Sequence, residues 1–402
     1  MTLNKEISLP FMKRGKFVIL GLFIMIIIGT VYSYSVFRVA LEDYYGIGAS
    51  LSGLPYMFAL ATYALFMMLS GPYISKIHPR TMMLMGGALV SLGWILSSFS
   101  PHIGWFTFFY GFMSGSGVGI MYGVPMAVVA KWFPDHRGLA VGSVIVGFGL
   151  SPIMTAPLAN QLILSLGVMN ALLILGVGLV VILPILVFPF RFPYAHEVKD
   201  TSSNKLGSLN DTPTKLMMKQ RRFKGLYLNF VLGTTIGLML IGLTANIGRN
   251  TIGLTSTQVS QAMALFALLN GGGRPLFGWL VDRFGSFFAM MLSYSLITVA
   301  SLLMIFFGEA NVFIYIVSFM LFWLNLGAWL AIAPTTTIND YGVMHYSQNY
   351  GLLFTAYGVG AILGVLTSGL VLDWFSNIQT LFVIVIVFSG LGIINTIITF
   401  KE

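Results

Sequence analysis

Twelve long apolar runs decide what this chain can fold into. They cover residues 17–40, 51–73, 81–99, 103–130, 139–161, 168–190, 225–246, 257–281, 287–307, 312–335, 349–371 and 378–399. A helix needs about 20 mostly apolar residues to cross the hydrocarbon core of a bilayer, and each run is of that order. Strand alternation is absent, and the runs are longer than a barrel strand. The chain cannot cover itself in water: 57% of its residues are hydrophobic and 8% are charged, against roughly a quarter charged in a soluble domain. The expected fold class is an all-α membrane protein with twelve transmembrane helices. The 45 glycines fit, because membrane helices use Gly for close packing. With no cysteine, disulfides, thiolate metal sites and Cys nucleophiles are excluded. The first run is too long for a signal peptide and leads into Tyr32-Ser33-Tyr34, so it is expected to stay as a span.

The basic residues set orientation. With a cytoplasmic N-terminus, 18 of the 21 Lys and Arg fall on the inside; Arg38 and Arg249 fall at outer helix ends, and Arg274 lies within a span. This bias predicts both termini inside, in a multi-pass protein of the cell (plasma) membrane. The +9 net charge is spread over short loops and forms no single face, so it reads as a topology signal and not as a nucleic-acid surface. Residues 191–224 are the one long polar segment. They divide the chain into a six-helix bundle over 1–190, a cytoplasmic linker, and a second six-helix bundle over 225–402. The linker reads as a solvated connection, with lipid headgroup contact as the alternative.

The two halves echo each other. Gly71-Pro72-Tyr73-Ile74-Ser75-Lys76 follows span 2, and Gly278-Trp279-Leu280-Val281-Asp282-Arg283-Phe284-Gly285 follows span 8, 207 residues later. The glycines are expected to let helices approach closely. Asp282 is expected to cap a neighbouring helix and pair with a basic residue. Repeated halves around a cleft are a transporter architecture. The arrangement resembles the major facilitator superfamily, whose G-x-x-x-D-R-x-G signature stands at Gly278, Asp282, Arg283 and Gly285. The first copy departs from it, with Ser75 for Asp and His78-Pro79 for Gly. That departure implies a weaker gating contact in the first half.

A second string is more specific. Residues 116–149 carry Ser116-Gly117-Val118-Gly119, Tyr122 and Pro125, then Lys131-Trp132-Phe133-Pro134-Asp135-His136-Arg137-Gly138-Leu139-Ala140-Val141-Gly142, then Gly147-Phe148-Gly149. Asn349-Tyr350-Gly351 opens a matching stretch through Gly358. Together they resemble the oxalate:formate antiporter family and the related monocarboxylate transporters. At the span 4–5 junction, Asp135 can cap span 5 and Arg137 sits where a cytoplasmic basic residue belongs. Both read as structural or gating residues, with substrate contact as the alternative.

Arg274 is the most informative residue. A mid-helix arginine costs a few kcal/mol to insert, so it must face a polar cavity or a partner. No other span offers a deep charge to pair with it. A mobile anion is the remaining partner, and a guanidinium offers a carboxylate two parallel hydrogen bonds. A purely structural arginine is the other reading. The resemblance implies the anion role, because both related groups carry a carboxylate-binding arginine in span 8. Tyr122 and Tyr357 lie at similar depth, about 12–13 Å from the cytoplasmic ends of their spans, and either bind substrate or pack. Where an oxalate exchanger carries a lysine in span 11, this chain has Tyr357. One deep cation then favours a monocarboxylate. Asn270 lies one turn before Arg274. Proton-coupled relatives carry an aspartate at this spacing, and an amide cannot titrate. Gly271, Gly272 and Gly273 thin the same helix, for packing or for bending.

Tyr34 and Arg38 resemble the S-Y-x-x-x-K stretch of animal monocarboxylate transporters. Arg38 either attracts the anion or snorkels outward. Asn325 shares a face of span 10 with Trp329, whose ring, like that of Trp323, reads as packing. All five histidines fall in loops, without metal spacing. No cofactor is expected, and no nucleotide or hydrolase motif is present.

The expected function is secondary active transport of a small organic monocarboxylate, such as lactate, pyruvate, acetate or formate, by alternating access. The protein is expected to act as a monomer and not as an enzyme. A proton or a counter-anion is the second passenger. The alternatives are an oxalate/formate-type exchanger and, in another class, a non-transporting receptor or scaffold.

Overall fold

The computed structural model describes residues 11–134, 136–194, 197, 211–342, 344–374 and 378–401, and among these there is no strand. Eleven helices of the described residues are long and apolar enough to cross a membrane. In order, α1 is Arg14–Tyr45, α2 Ala49–Tyr73, α3 Pro79–Ser97, α4 Ile103–Trp132, α5 Gly138–Leu166, α6 Val168–Val187 and α7 Arg221–Asn250. The helix Ser256–Phe307 follows, at 52 residues.

That helix is two crossings joined at one residue. Gly285 stands at φ 82, ψ 164, a left-handed conformation that favours glycine over any residue with a side chain. The chain turns back there. A Cβ on Gly273 would lie 2.6 Å from the Leu324 carbonyl, while Ser293 Oγ donates to Asn325 Oδ1 at 2.6 Å. Two points 20 residues apart on a straight helix would stand about 30 Å apart, not against the same turn of a neighbour. We label 256–284 α8 and 286–307 α9. The remaining helices are α10 (Val312–Tyr341), α11 (Gln348–Trp374) and α12 (Gln379–Phe400). The count then matches the twelve expected spans.

The first six helices pack on one another, as do the last six. The two groups meet where α1 lies on α7, α2 on α11 and α5 on α8. Local irregularities serve crossings within the first six helices. The centre of α1 tightens into a 3-10 turn at Gly29–Ser33, and a Cβ on Gly29 would sit 2.6 Å from the Phe148 carbonyl of α5. In α4, Thr107–Ser114 is wound as a π-helix. The hydroxyl of Thr62 on α2 donates to the Gly111 carbonyl there at 3.1 Å. A neighbour's side chain is one way that backbone groups loosened inside a bilayer are satisfied.

The polar segment between α6 and α7 is fastened at its described ends. Trp132 Nε1 donates to the Arg191 carbonyl at 2.9 Å. The Arg191 guanidinium lies 5.1 Å from the Trp132 ring centre and bonds Glu197 through both Nη atoms at 2.6 Å. That pairing holds the Arg191 pKa above its usual value. At the other end Asn349 Nδ2 donates to the Thr212 carbonyl at 3.0 Å, and Thr214 Oγ1 donates to Asn349 Oδ1 at 2.7 Å. Helix α7 begins at Arg221, four residues before the apolar run. Its basic first turn extends past that run, and Arg222 pairs with Asp340 at 2.7 Å.

Candidate functional site

The site grows from the crossing of α5 and α8. Gly149 lacks a side chain where α8 passes: a Cβ would lie 2.6 Å from Asn270 Oδ1 and 2.9 Å from Gly271 Cα. One helical turn back along α5 and one turn on along α8, Arg274 Nη1 donates to the Ile145 carbonyl at 2.6 Å. Arg274 is 5% exposed, and its Nε and Nη2 have no hydrogen-bond partner among the described residues. Both amide atoms of the fully buried Asn270 are also unpartnered. Buried polar groups are normally satisfied, and a charged one left unmet costs most.

The geometry of the free atoms is specific. In a guanidinium, Nε and Nη2 share one edge, and their N–H bonds are the parallel pair that a carboxylate takes with both oxygens. The opposite side of the group is held by Ile145. Among the described residues no carboxylate pairs with Arg274.

Aromatic rings enclose the same region. The Arg274 guanidinium carbon lies 6.0 Å from the Phe148 ring centre. Tyr32 and Tyr122 meet that ring edge-on at 5.1 and 5.3 Å, and Tyr63 stacks on it at 5.7 Å. Tyr357 stacks on Phe354 at 4.9 Å, and its hydroxyl is 3.0 Å from that of Tyr32. The rings come from α1, α2, α4, α5 and α11, so both groups of six helices contribute.

Of the residues singled out from the sequence, Arg274, Asn270, Tyr122 and Tyr357 gather here. The others lie elsewhere. Tyr34 donates to the Ser52 carbonyl at 2.7 Å and stacks on Tyr56 at 5.5 Å. Asn325 accepts from Ser293 and donates to the Leu321 carbonyl at 2.7 Å. Trp329 packs on Tyr294 at 5.2 Å, and Trp323 donates to Thr244 Oγ1 at 3.1 Å. Arg38 does not snorkel outward. It is 1% exposed and pairs with Glu42 at 3.4 Å, so Arg274 is not the single buried cation that the sequence implies.

The signature motif also differs from expectation. A Cβ on Gly278 would meet nothing within 4 Å, so close approach does not explain that glycine; the conformational demand falls on Gly285. Asp282 and Arg283 are exposed and form no ion pair among the described residues. In the first copy, His78 Nδ1 accepts the Arg80 N–H at 3.3 Å and caps α3. Asp135 lies outside the described residues, as does the side chain of Arg137.

Tyr32, Tyr63, Phe148 and Phe354 were not anticipated. Phe148 carries a usable signal, since a large ring between Gly147 and Gly149 marks a place where backbones touch on either side of a projecting side chain. The Lys131–Gly142 and Asn349 strings contribute at least partly to fastening the polar segment, through Trp132 and Asn349.

The described fold is a many-span membrane protein with a buried, polar-tipped centre between two helical groups. The Major Facilitator Superfamily model matches residues 18–346, and the chain belongs to that superfamily of membrane transporters. The oxalate:formate antiporter of Oxalobacter formigenes is 26% identical over 87% of this chain and 83% of its own length. Monocarboxylate transporter 12-B of Danio rerio is 24% identical over 80% of this chain and 72% of its own. A bacterial homolog of the human lysosomal transporter Spinster superposes with a TM-score of 0.75 at 14% identity, covering 96% of this chain and 97% of that one. The nucleoside transporter NupG superposes with a TM-score of 0.72, also at 14% identity, over 96% and 100% of the two chains. These two structural likenesses bear on the fold alone.

Proposed function

We propose that the protein moves a small organic monocarboxylate across the plasma membrane by alternating access, with the carboxylate held on the free edge of Arg274. The observation that carries this reading is the pair Nε and Nη2, buried and unpartnered on one edge. An apolar membrane core tolerates a bare guanidinium poorly, and an anion that arrives and leaves answers that cost in the loaded state. Hydroxyls of Tyr32, Tyr122 and Tyr357 are the neutral donors that would complete the anion's shell.

One cation at the centre supports a single carboxylate over two adjacent ones. Oxalate would leave its second charge facing tyrosines. The similarity to an oxalate:formate antiporter favours the second reading, dicarboxylate–monocarboxylate exchange.

In this reading residues 1–190 and 225–402 are the two moving bundles, joined by 191–224, in a monomer with both termini cytoplasmic. A tag in 191–224 that is reached only from outside would invert that orientation. The functional test is a thermal-shift screen with lactate, pyruvate, acetate, formate, oxalate and malonate, followed by uptake into proteoliposomes. Stabilisation and uptake with monocarboxylates are expected; a response to oxalate alone would select the second reading, and binding without uptake would make the protein a receptor.

A further inference from the structure

Arg38 and Glu42 lie one turn apart at the end of α1 away from the polar segment, and their contacts divide by half. Within the first six helices, Arg38 Nη2 donates to the Ala49 carbonyl at 2.6 Å and Nε to Ser52 Oγ at 3.1 Å. Ser52 Oγ donates in turn to Glu42 Oε1 at 2.6 Å. Two bonds cross to α7: Arg38 Nη1 to the Gly242 carbonyl at 3.2 Å, and Asn246 Nδ2 to Glu42 Oε2 at 3.3 Å. Alongside, Asp373 at the end of α11 accepts the N–H groups of Ala49 and Ser50, each at 3.2 Å. Those are the first amides of α2, where a helix dipole favours an anion.

We infer that Arg38 and Glu42, with Asp373, form the external latch of the transport cycle, acting as positioning residues that hold α1 and α2 against α7 and α11 and not as substrate ligands. The inference rests on the alternating-access reading and orientation above. The division of contacts is what suits a latch. A salt bridge spanning the two halves would leave two bare charges each time it opened, and stranded charges are costly in a poorly solvated place. Here the ion pair stays within α1, and Ala49 and Ser52 keep Arg38 satisfied whether the halves touch or part. Opening breaks two hydrogen bonds to α7 and the Asp373 cap, and leaves every charge with water or a partner. The pair also explains why Arg38 is unavailable to an anion: each of its three nitrogens has an acceptor. Arg274 has two nitrogens with none.

The absence of cysteine makes the test direct. Ser35 lies one turn inward of Arg38, is 1% exposed, and its Oγ is 3.4 Å from Met263 Sδ. A thiol at Ser35→Cys is therefore covered while the latch is closed. Intact cells carrying Ser35→Cys are treated from outside with a membrane-impermeant maleimide, and a permeant maleimide gives the total thiol. In this background Asn246→Ala removes one crossing bond and leaves the Arg38–Glu42 pair whole, so α1 keeps its fold. Glu42→Gln is the second variant. Each is expected to speed external labelling about tenfold, as loss of a charge-assisted hydrogen bond allows. Carboxylate affinity, read by thermal shift, is expected to stay within about twofold, because Arg274 is untouched. Unchanged labelling in both variants overturns the latch. So does faster labelling only from the cytoplasmic face in inverted vesicles. Lost carboxylate affinity with unchanged labelling would assign Arg38 and Glu42 to the substrate instead. A failure to bind any carboxylate would count against the proposed substrate while the labelling rates still decide the latch.

Discussion

Tyr32 on α1 and Tyr357 on α11 face each other with their hydroxyl oxygens 3.0 Å apart, joining the two halves of the molecule where Tyr32 packs on the Phe148 ring. One hydroxyl donates and the other accepts, so the pair keeps a single proton to offer a third partner. A neutral donor suits the far side of a monocarboxylate better than it suits a second full charge.

Changing that neutral pair to a charge is expected to change the cargo. Tyr357→Lys places an ammonium where the Tyr357 hydroxyl meets that of Tyr32. Competition binding should then favour oxalate or malonate over lactate or acetate by at least about tenfold relative to the unmodified protein. An unaltered ratio would mean that Tyr357 does not face the bound anion.

Removing the central cation is expected to end transport without preventing assembly. Arg274→Ala should lower carboxylate affinity at least about thirtyfold, or about 2 kcal/mol, with normal expression and a normal elution profile. Arg274→Lys should recover little, since an ammonium has no flat edge to match a carboxylate. Ordinary uptake by the alanine variant would remove the anion site.

The α5–α8 crossing has no room for a methyl group. Gly149→Ala would put a Cβ 2.6 Å from Asn270 Oδ1, and overpacking of this kind costs about 1–3 kcal/mol. A lower thermal unfolding midpoint and reduced uptake are expected. A midpoint equal to that of the parent would show that the two helices part more readily than their contact implies.

Among the described residues no carboxylate pairs with Arg274, and on the proposed reading coupling is expected to follow from that. With an anion on Arg274 the centre is neutral; without one it carries a positive charge that Asn270 cannot balance. Returning that charge through a closed state is costly. Exchange of one carboxylate for another is therefore expected to outrun net uptake at a fixed pH gradient, measured with and without substrate inside liposomes. Asn270→Asp should raise net proton-linked uptake and weaken anion binding. Net uptake as fast as exchange in the parent would favour proton symport.

Much of this was readable from the sequence, and the reasons differ by residue. Arg274 announced itself because one cation inside an apolar run has few explanations. The number of spans followed from run length, even where Gly285 joins two helices that a continuous hydrogen-bond pattern would merge. Arg38 did not announce its burial, because its acceptors come from Ala49 across a turn and Gly242 in the other half. Nor could helical periodicity choose between Tyr32 and Tyr34. The 3-10 turn at Gly29–Ser33 holds Tyr32 within it and shifts the facing of Tyr34 just beyond it, so that Tyr32 meets Tyr357 and Tyr34 packs in the first bundle. Asp282 misled because a motif states which residues recur, whereas here its carboxylate is exposed and caps no helix among the described residues.

Trp132 and Asn349, the two motif residues that hold the ends of the polar segment, bear on how such chains diversify. A descendant could preserve both fastenings and the whole string around each, and still come to carry a different cargo by altering Tyr357 or Asn270. Kinship in those strings would then record how the halves are strapped together, while cargo drifted independently a few turns away.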